Sequence, residues 1–273
     1  MDRVLLIDKP AGRTSHDLVA QVRRAVGGPR KGPGVVRVGH AGTLDPFATG
    51  LLIVLTGRAT KAQSLFMGLR KRYEVEARFG AVSSTGDTEG EISETGVLPP
   101  RPLVLPTGLV RQRPPVYSAV KIDGERAYAR ARRGEEVDMP EREVTVYRFD
   151  EQPGDRFVIE CSSGTYVRSL VADLGDAYCT ALRRTAIGPF DVSAAIKPED
   201  LEGAIPLGDA LARFLPVVVL DGVAVDRAAH GVAVEAATGL GDGAVLLRDE
   251  AGPIALAEPR GDGLLKPVVG FRS

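Results

Sequence analysis

The chain has no tryptophan, two cysteines, three methionines and three histidines, and aromatic residues make up only 5% of it. Cys161 and Cys179 cannot build a disulfide framework, which fits a reducing compartment. His16, His40 and His230 are scattered along the sequence, and neither they nor the cysteines have the spacing of a metal site. A phosphate-binding glycine loop is also missing. No apolar run is long enough to span a bilayer, and the one within Met1 to Lys9 is too short for a signal peptide. These absences predict a cytoplasmic protein with no membrane attachment. The last scarcity is local. Between Leu18 and Tyr73 the only acidic residue is Asp45, set among ten lysines and arginines.

What is present is an ordinary globular composition, 44% apolar and 26% charged over 273 residues, enough for one large domain or two. The net charge of −1 conceals a strong polarity: residues 1–72 carry +9, residues 73–215 carry −7 and residues 216–273 carry −3. A basic front of this kind predicts a polyanionic partner. A carboxylate repels phosphates, so Asp45 in such a surface either balances a neighbouring arginine or does chemistry.

The loop around Asp45 is built for positioning. Gly39, Gly42 and Gly50 permit tight turns, and Pro46 fixes the backbone directly after the acid. The loop lies between a strand-like run, Val35 to Val38, and a continuous apolar run, Leu51 to Leu55, that reads as a buried strand. Ahead of it, Val4 to Ile7 reads as a strand. Thr14 and Asp17 form a capping box for a helix whose apolar face is Leu18, Val19, Val22, Ala25 and Val26. Further on, Arg58 to Leu69 reads as a helix, and Tyr73, Val75, Ala77 and Phe79 alternate as in a half-buried strand. Ser83 to Gly90 is a polar loop, and Leu98 to Pro115 is proline-rich. Val144 to Phe149 and Arg156 to Cys161 read as paired strands, and a helix follows to about Leu174. Asp176 to Thr180 reads as a turn before a strand from Ala181 to Phe190, and Pro206 to Phe214 as a closing helix. After Pro216, short apolar runs separated by glycine-rich turns suggest a small barrel or sandwich.

The run His40-Ala41-Gly42-Thr43-Leu44-Asp45-Pro46-Phe47-Ala48-Thr49-Gly50 resembles the signature loop of the bacterial tRNA pseudouridine-55 synthases, the TruB-type family. Lys9 to Ser15, Lys71 to Val75, and Ser163 to Leu170 resemble further motifs of the same family, and the resemblance covers nearly the first 190 residues. It departs from the family pattern in shortened segments at 98–115 and 176–180. The resemblance implies an α+β fold with a mixed, largely antiparallel central sheet flanked by helices. It implies a catalytic domain over residues 1–215 and a small β-rich PUA-like domain over residues 216–273. It also implies a tRNA partner, engaged at the T-stem-loop, and a monomer that uses no cofactor and no metal. On the matching positions the resemblance makes Asp45 the catalytic carboxylate, as nucleophile or as base, Arg168 its ion-pair partner and Tyr73 the ring that stacks on the target base. Tyr166 and Leu182 line the uracil pocket, and His40 helps fill the space left by the displaced nucleotide. Lys121 and Arg132 are candidate RNA or loop-supporting contacts, and the Lys9 motif supports the Asp45 loop.

Isomerising a uridine breaks one sugar-to-base bond and makes another, so it needs a dry pocket, one ionised carboxylate and extraction of the base from its stack. Two other classes compete. A glycoside hydrolase acts at the same carbon but normally uses two flanking carboxylates, where the basic front offers only Asp45. A non-catalytic RNA-binding protein or tRNA chaperone explains the charge polarity but has no use for Asp45.

Overall fold

The structure is a computed structural model that describes residues 2–272 apart from 30, 31, 33, 117, 119, 120, 123, 128, 129, 131, 132, 136, 237 and 238; of residues 121 and 126 it describes the backbone alone. The Arg132 contact, and the side chain of Lys121, therefore lie outside the described residues. In chain order the strands are β1 (Arg3–Lys9), β2 (Val38–His40), β3 (Thr49–Thr56), β4 (Lys71–Phe79), β5 (Ala81–Ser83), β6 (Ile92–Glu94), β7 (Gly108–Gln112), β8 (Lys121–Ile122), β9 (Glu125–Arg126), β10 (Arg142–Gln152), β11 (Arg156–Cys161), β12 (Ala177–Ile187), β13 (Phe190–Asp191), β14 (Ile205–Pro206), β15 (Val217–Val219), β16 (Val234–Glu235), β17 (Val245–Asp249), β18 (Gly252–Pro259) and β19 (Leu264–Gly270). The helices include α1 (Ser15–Val26), α2 (Gln63–Gly68), α3 (Val167–Ala172), α4 (Leu207–Leu211) and α5 (Gly222–Ala229).

A ten-stranded sheet runs in the order β14-β1-β3-β12-β4-β11-β10-β7, with β2 paired to β3 and β13 to β12. Every pairing in it is antiparallel except β3 with β12, so the α+β, largely antiparallel expectation holds. A separate five-stranded sheet, β15-β17-β18-β19-β16, is formed by residues after Pro216. Near-continuous apolar runs make β1 and β3 the buried centre, with Val4, Leu6, Leu51 and Ile53 facing one layer and Leu5, Ile7, Leu52 and Val54 facing another. The capping box at Thr14 is present in both directions, and α1 buries Leu18, Val19 and Val22 against the second layer. On β4 the period of two holds: Tyr73 and Val75 are buried while Glu74 and Glu76 face solvent.

Several elements differ from the sequence expectation. The strand expected over Val35 to Val38 begins only at Val38 and continues into His40, because its partner is β3 and the register pairs Val38 with Thr56. The helix expected over Arg58 to Leu69 is a 3-10 turn, Gly57–Ala62, followed by α2. The proline-rich stretch contains edge strand β7, which pairs with β10. Residues 177–180, expected as a turn, are strand: Ala177, Tyr178 and Cys179 pair with Phe79, Arg78 and Ala77, and all three are buried. The helix entered at Arg168 ends at Ala172, and the closing helix is only α4.

The parallel junction of β3 and β12 carries the tightest backbone contact. Gly50 has φ +103°, and a β-carbon there would lie 2.2 Å from the carbonyl oxygen of Arg184. Both backbones are fixed by the sheet, so neither can yield. Gly50→Ala should destabilise the protein by about 3 kcal/mol, seen as a fall of roughly 6–12 °C in melting temperature.

Candidate active site

The Asp45 loop is held from below by buried polar groups that act on its main chain. Lys9, fully buried at the end of β1, donates from Nζ to the carbonyls of Pro10 (2.8 Å), Arg13 (2.7 Å) and Pro46 (3.1 Å). The backbone N–H of Gly12 donates to the same Pro46 carbonyl at 2.9 Å. Ser15 Oγ accepts from the Leu44 N–H at 2.9 Å. From β12 the buried Arg184 donates to the carbonyls of Leu51 (2.8 Å), Gly42 (3.0 Å) and Thr43 (3.4 Å). Carbonyl oxygens thus solvate two buried cations, and the same bonds fix where the loop can go. The Lys9 motif does support the loop, as expected; Arg184 was read from the sequence only as strand, and its role was missed.

Asp45 projects from this loop with its side chain 29% exposed, and Oδ2 lies 2.9 Å from Nε of Arg168. Arg168 sits on the first turn of α3 with its side chain only 4% exposed. Its Nη1 reaches a second carboxylate, Asp87 Oδ2, at 2.9 Å, and the Thr85 carbonyl at 2.5 Å. The reading of Asp45 as the solitary acid is therefore corrected. The polar loop after β5 brings in Asp87, which is 3% exposed and further held by Thr85 Oγ1 at 2.6 Å and the Glu89 N–H at 3.0 Å. Asp87 lies outside the basic segment in which acids were counted. Its only sequence signal was a Thr-Gly-Asp turn, Thr85 to Asp87. Buried against the guanidinium, Asp87 does not flank an open bond as a hydrolase pair would.

Tyr73, on β4, is 8% exposed and packs in one apolar cluster with Leu44, Ala48 and Leu182 of β12. Tyr166 caps the N-terminus of α3, where Gln112 of β7 clasps its main chain: Gln112 Nε2 donates to the Tyr166 carbonyl at 2.8 Å and Oε1 accepts from its N–H at 2.7 Å. Gln112, 1% exposed, was not anticipated because it falls in the proline-rich stretch. His40 ends β2, and its ring meets that of His16 edge-on at 5.5 Å, so two of the histidines that look scattered in the sequence are neighbours. Among the described residues no group of three or more His, Cys, Asp or Glu could hold a metal ion. Asp45, Arg168, Tyr73 and Leu182 thus converge through shared contacts, Tyr166 borders them through α3, and His40 stands at the entry to the loop.

Burial pushes the Asp45 carboxyl above the usual carboxylate range, Arg168 opposes that shift, and Asp87 adds to it. Burial lowers Lys9 to about 8, partly offset by the Asp45 charge. Burial likewise raises the Tyr73 phenol.

The large mixed sheet on which this site is built is also seen in solved structures. An H/ACA RNP bound to a substrate RNA containing 2'-deoxyuridine shares the fold with a TM-score of 0.69 at 20% identity, covering 99% of this chain and 85% of that one. A Cbf5–Nop10–Gar1 complex matches at 0.64 and 24% identity, covering 94% and 78%. These establish the fold. Residues 30–167 match the model of the TruB family pseudouridylate synthase N-terminal domain. The tRNA pseudouridine synthase B of Thermobifida fusca (strain YX) is 40% identical over 299 residues, spanning 99% of this chain and 98% of that protein. Those of Corynebacterium glutamicum (strain R) and Geobacillus thermodenitrificans (strain NG80-2) are 43% and 35% identical, over 79% and 100% of this chain and 78% and 100% of theirs. The chain belongs to the TruB family of pseudouridylate synthases.

Two limbs follow in the pH profile of turnover. Asp45 should titrate above the pH at which a free aspartate does, because burial raises its folded pKa, and an acid limb of turnover is expected there. Lys9 must be protonated to donate all three hydrogen bonds, and its pKa is lowered, so activity should fall as pH rises through about 8. Single-turnover rates across pH, with Lys9→Arg moving the alkaline limb upward and leaving the acid limb in place, check both assignments.

Proposed function

We propose that this chain isomerises the T-loop uridine at position 55 of tRNA to pseudouridine. The bond from ribose C1' to uracil N1 breaks, a bond from C1' to C5 forms, the C5 proton leaves and N1 gains one. The observation that carries the reading is the partly exposed Asp45 carboxylate held at 2.9 Å by a buried Arg168. Asp45 is the group that acts at the sugar, and Arg168 orients it. Tyr73 stacks on the extracted uracil, Leu182 and Tyr166 line its pocket, and His40 occupies the vacated stack. Lys121 contacts the RNA. Stacking and phosphate contacts from the +9 front offset the few kcal/mol that extraction costs. Residues 1–215 carry the chemistry and residues 216–273 form a PUA-like module. The protein works as a cytoplasmic monomer without a cofactor, and no helix among the described residues is long and apolar enough to cross a membrane.

Unmodified tRNA carrying tritium at uridine C5 should release label to water on incubation with the protein, and the label should be lost from position 55. Asp45→Asn should reduce that release by at least about 10²–10⁴-fold while tRNA affinity is retained. A protein that only binds or chaperones tRNA would release no label, and its Asp45→Asn form would be unimpaired.

A further inference from the structure

His16 and His40, distant in the sequence, touch in the fold. Their ring centroids lie 5.5 Å apart with the planes at 75°, so the edge of one ring meets the face of the other. Neither backbone can drift. His40 ends β2, where the register pairs it with Val54 of β3, and its carbonyl accepts from Gln63 Nε2 at 2.8 Å. His16 lies in the first turn of α1, directly after Ser15, whose hydroxyl is bonded both ways to the main chain of Leu44: Oγ accepts from the N–H at 2.9 Å and donates to the carbonyl at 3.3 Å. Leu44 immediately precedes Asp45. Both histidines are therefore anchored to the loop that carries the acid. Their exposure differs, since His40 is half-buried and His16 is exposed. An exposed imidazole has no task in the core, and α1 packs through Leu18, Val19 and Val22 instead. Among the described residues the only ring that His16 meets is that of His40.

We propose that His16 is a positioning residue for His40: its ring, set edge-on, holds the His40 ring in the orientation that fills the stack vacated by the extracted uridine. The inference rests on the role given to His40 in the functional reading above. Filling a stack takes a flat ring at one tilt. An imidazole free to turn about its side-chain bonds spends part of its time in other rotamers and loses that freedom on binding. A ring set edge-on against it removes those alternatives before RNA arrives, and a pair of this kind is worth about 3- to 10-fold in an equilibrium or a rate. The pairing of Asp45 with Arg168 does not pass through His16. Its contribution should therefore appear in base extraction and not in the bond changes at the sugar.

Tritium release by the full chain, in excess over RNA and under single turnover, separates the two steps when two T-stem-loops are compared. One is intact, and in the other the nucleotide stacked on the target uridine is abasic, so that extraction costs less. On the intact loop His16→Ala should slow release by about 3- to 10-fold, and on the destacked loop by less than about 2-fold. His16→Phe keeps a ring with a positive edge and should stay near the wild-type rate, while His16→Leu should behave as His16→Ala. In a His40→Ala background His16→Ala should add nothing, because the two rings act as one unit. His16 is exposed, so its variants should melt with the wild type. Should His16→Ala melt early, the Phe and Leu variants give the comparison. A loss of equal size on both RNAs marks a role in folding the loop and overturns the proposal, as does a loss that adds to that of His40→Ala, or no loss at all. In each of those cases the wild type still modifies RNA, and this inference alone falls. A wild type that releases no label from either RNA removes the functional reading and this one with it.

Discussion

The site depends on a guanidinium that has no business being dry unless it is surrounded by negative charge. Arg168 is 4% exposed, and an unpaired cation at that depth would cost several kcal/mol. Two carboxylates, from loops far apart in the sequence, meet that demand at 2.9 Å each. They are not equivalent. Asp87 is as buried as the arginine and is held by Thr85 and the Glu89 main chain, so it neutralises Arg168 and is consumed in doing so. Asp45 shares the same cation but keeps an exposed side, which leaves its charge accessible from solvent.

Around this triad the protein uses buried cations against main-chain carbonyls. Lys9 and Arg184 together bond to the carbonyls of six residues, among them Gly42, Thr43 and Pro46 of the Asp45 loop. Bonds of this kind do not read side-chain identity. They fix backbone position, which is what sets where the Asp45 carboxylate points. The positive charges they bring also favour an anion at that point, and Lys9 is among the groups that oppose the upward shift of Asp45. Loop rigidity and charge state therefore have a common source.

Local elements were legible where one rule governed them. The Thr14 capping box, the alternation on β4 and the apolar β3 each follow from residue spacing alone, and the structure has all three. The pairing of Asp45 with Arg168 was legible through family resemblance. Spacing could not have given it, since the two lie on a loop and a helix joined only by the sheet. What escaped was decided by tertiary contact. Residues 177–180 look like a turn until β4 offers them partners, and β7 looks like a proline-rich linker until β10 does. Asp87, Gln112 and Arg184 are polar residues in segments that read as loop, linker and strand. Nothing in their neighbours tells a solvated polar group from one buried to hold something else.

The same limit applies to the boundary at Pro216. Composition marks a change there, and the strands beyond it form their own sheet. Energetically the chain does not divide so cleanly. Leu246, Leu256 and Phe271 of the later segment share one buried cluster with Phe66, Leu207 and Leu211 of the earlier one. A second cluster, including Val245, Leu247 and Leu265, is internal to the later segment. The five-stranded sheet thus has one apolar face for itself and one for the main sheet, a contact that a loosely tethered module would not make. With a net charge of −3 the segment adds little bulk attraction for a polyanion. Its apolar face covers the layer built on Val4, Leu51 and Ile53, on two strands of which one ends at Lys9 and the other begins at Thr49, where the Asp45 loop ends. Whatever the segment binds, it also keeps water from the strands that hold Asp45 in place.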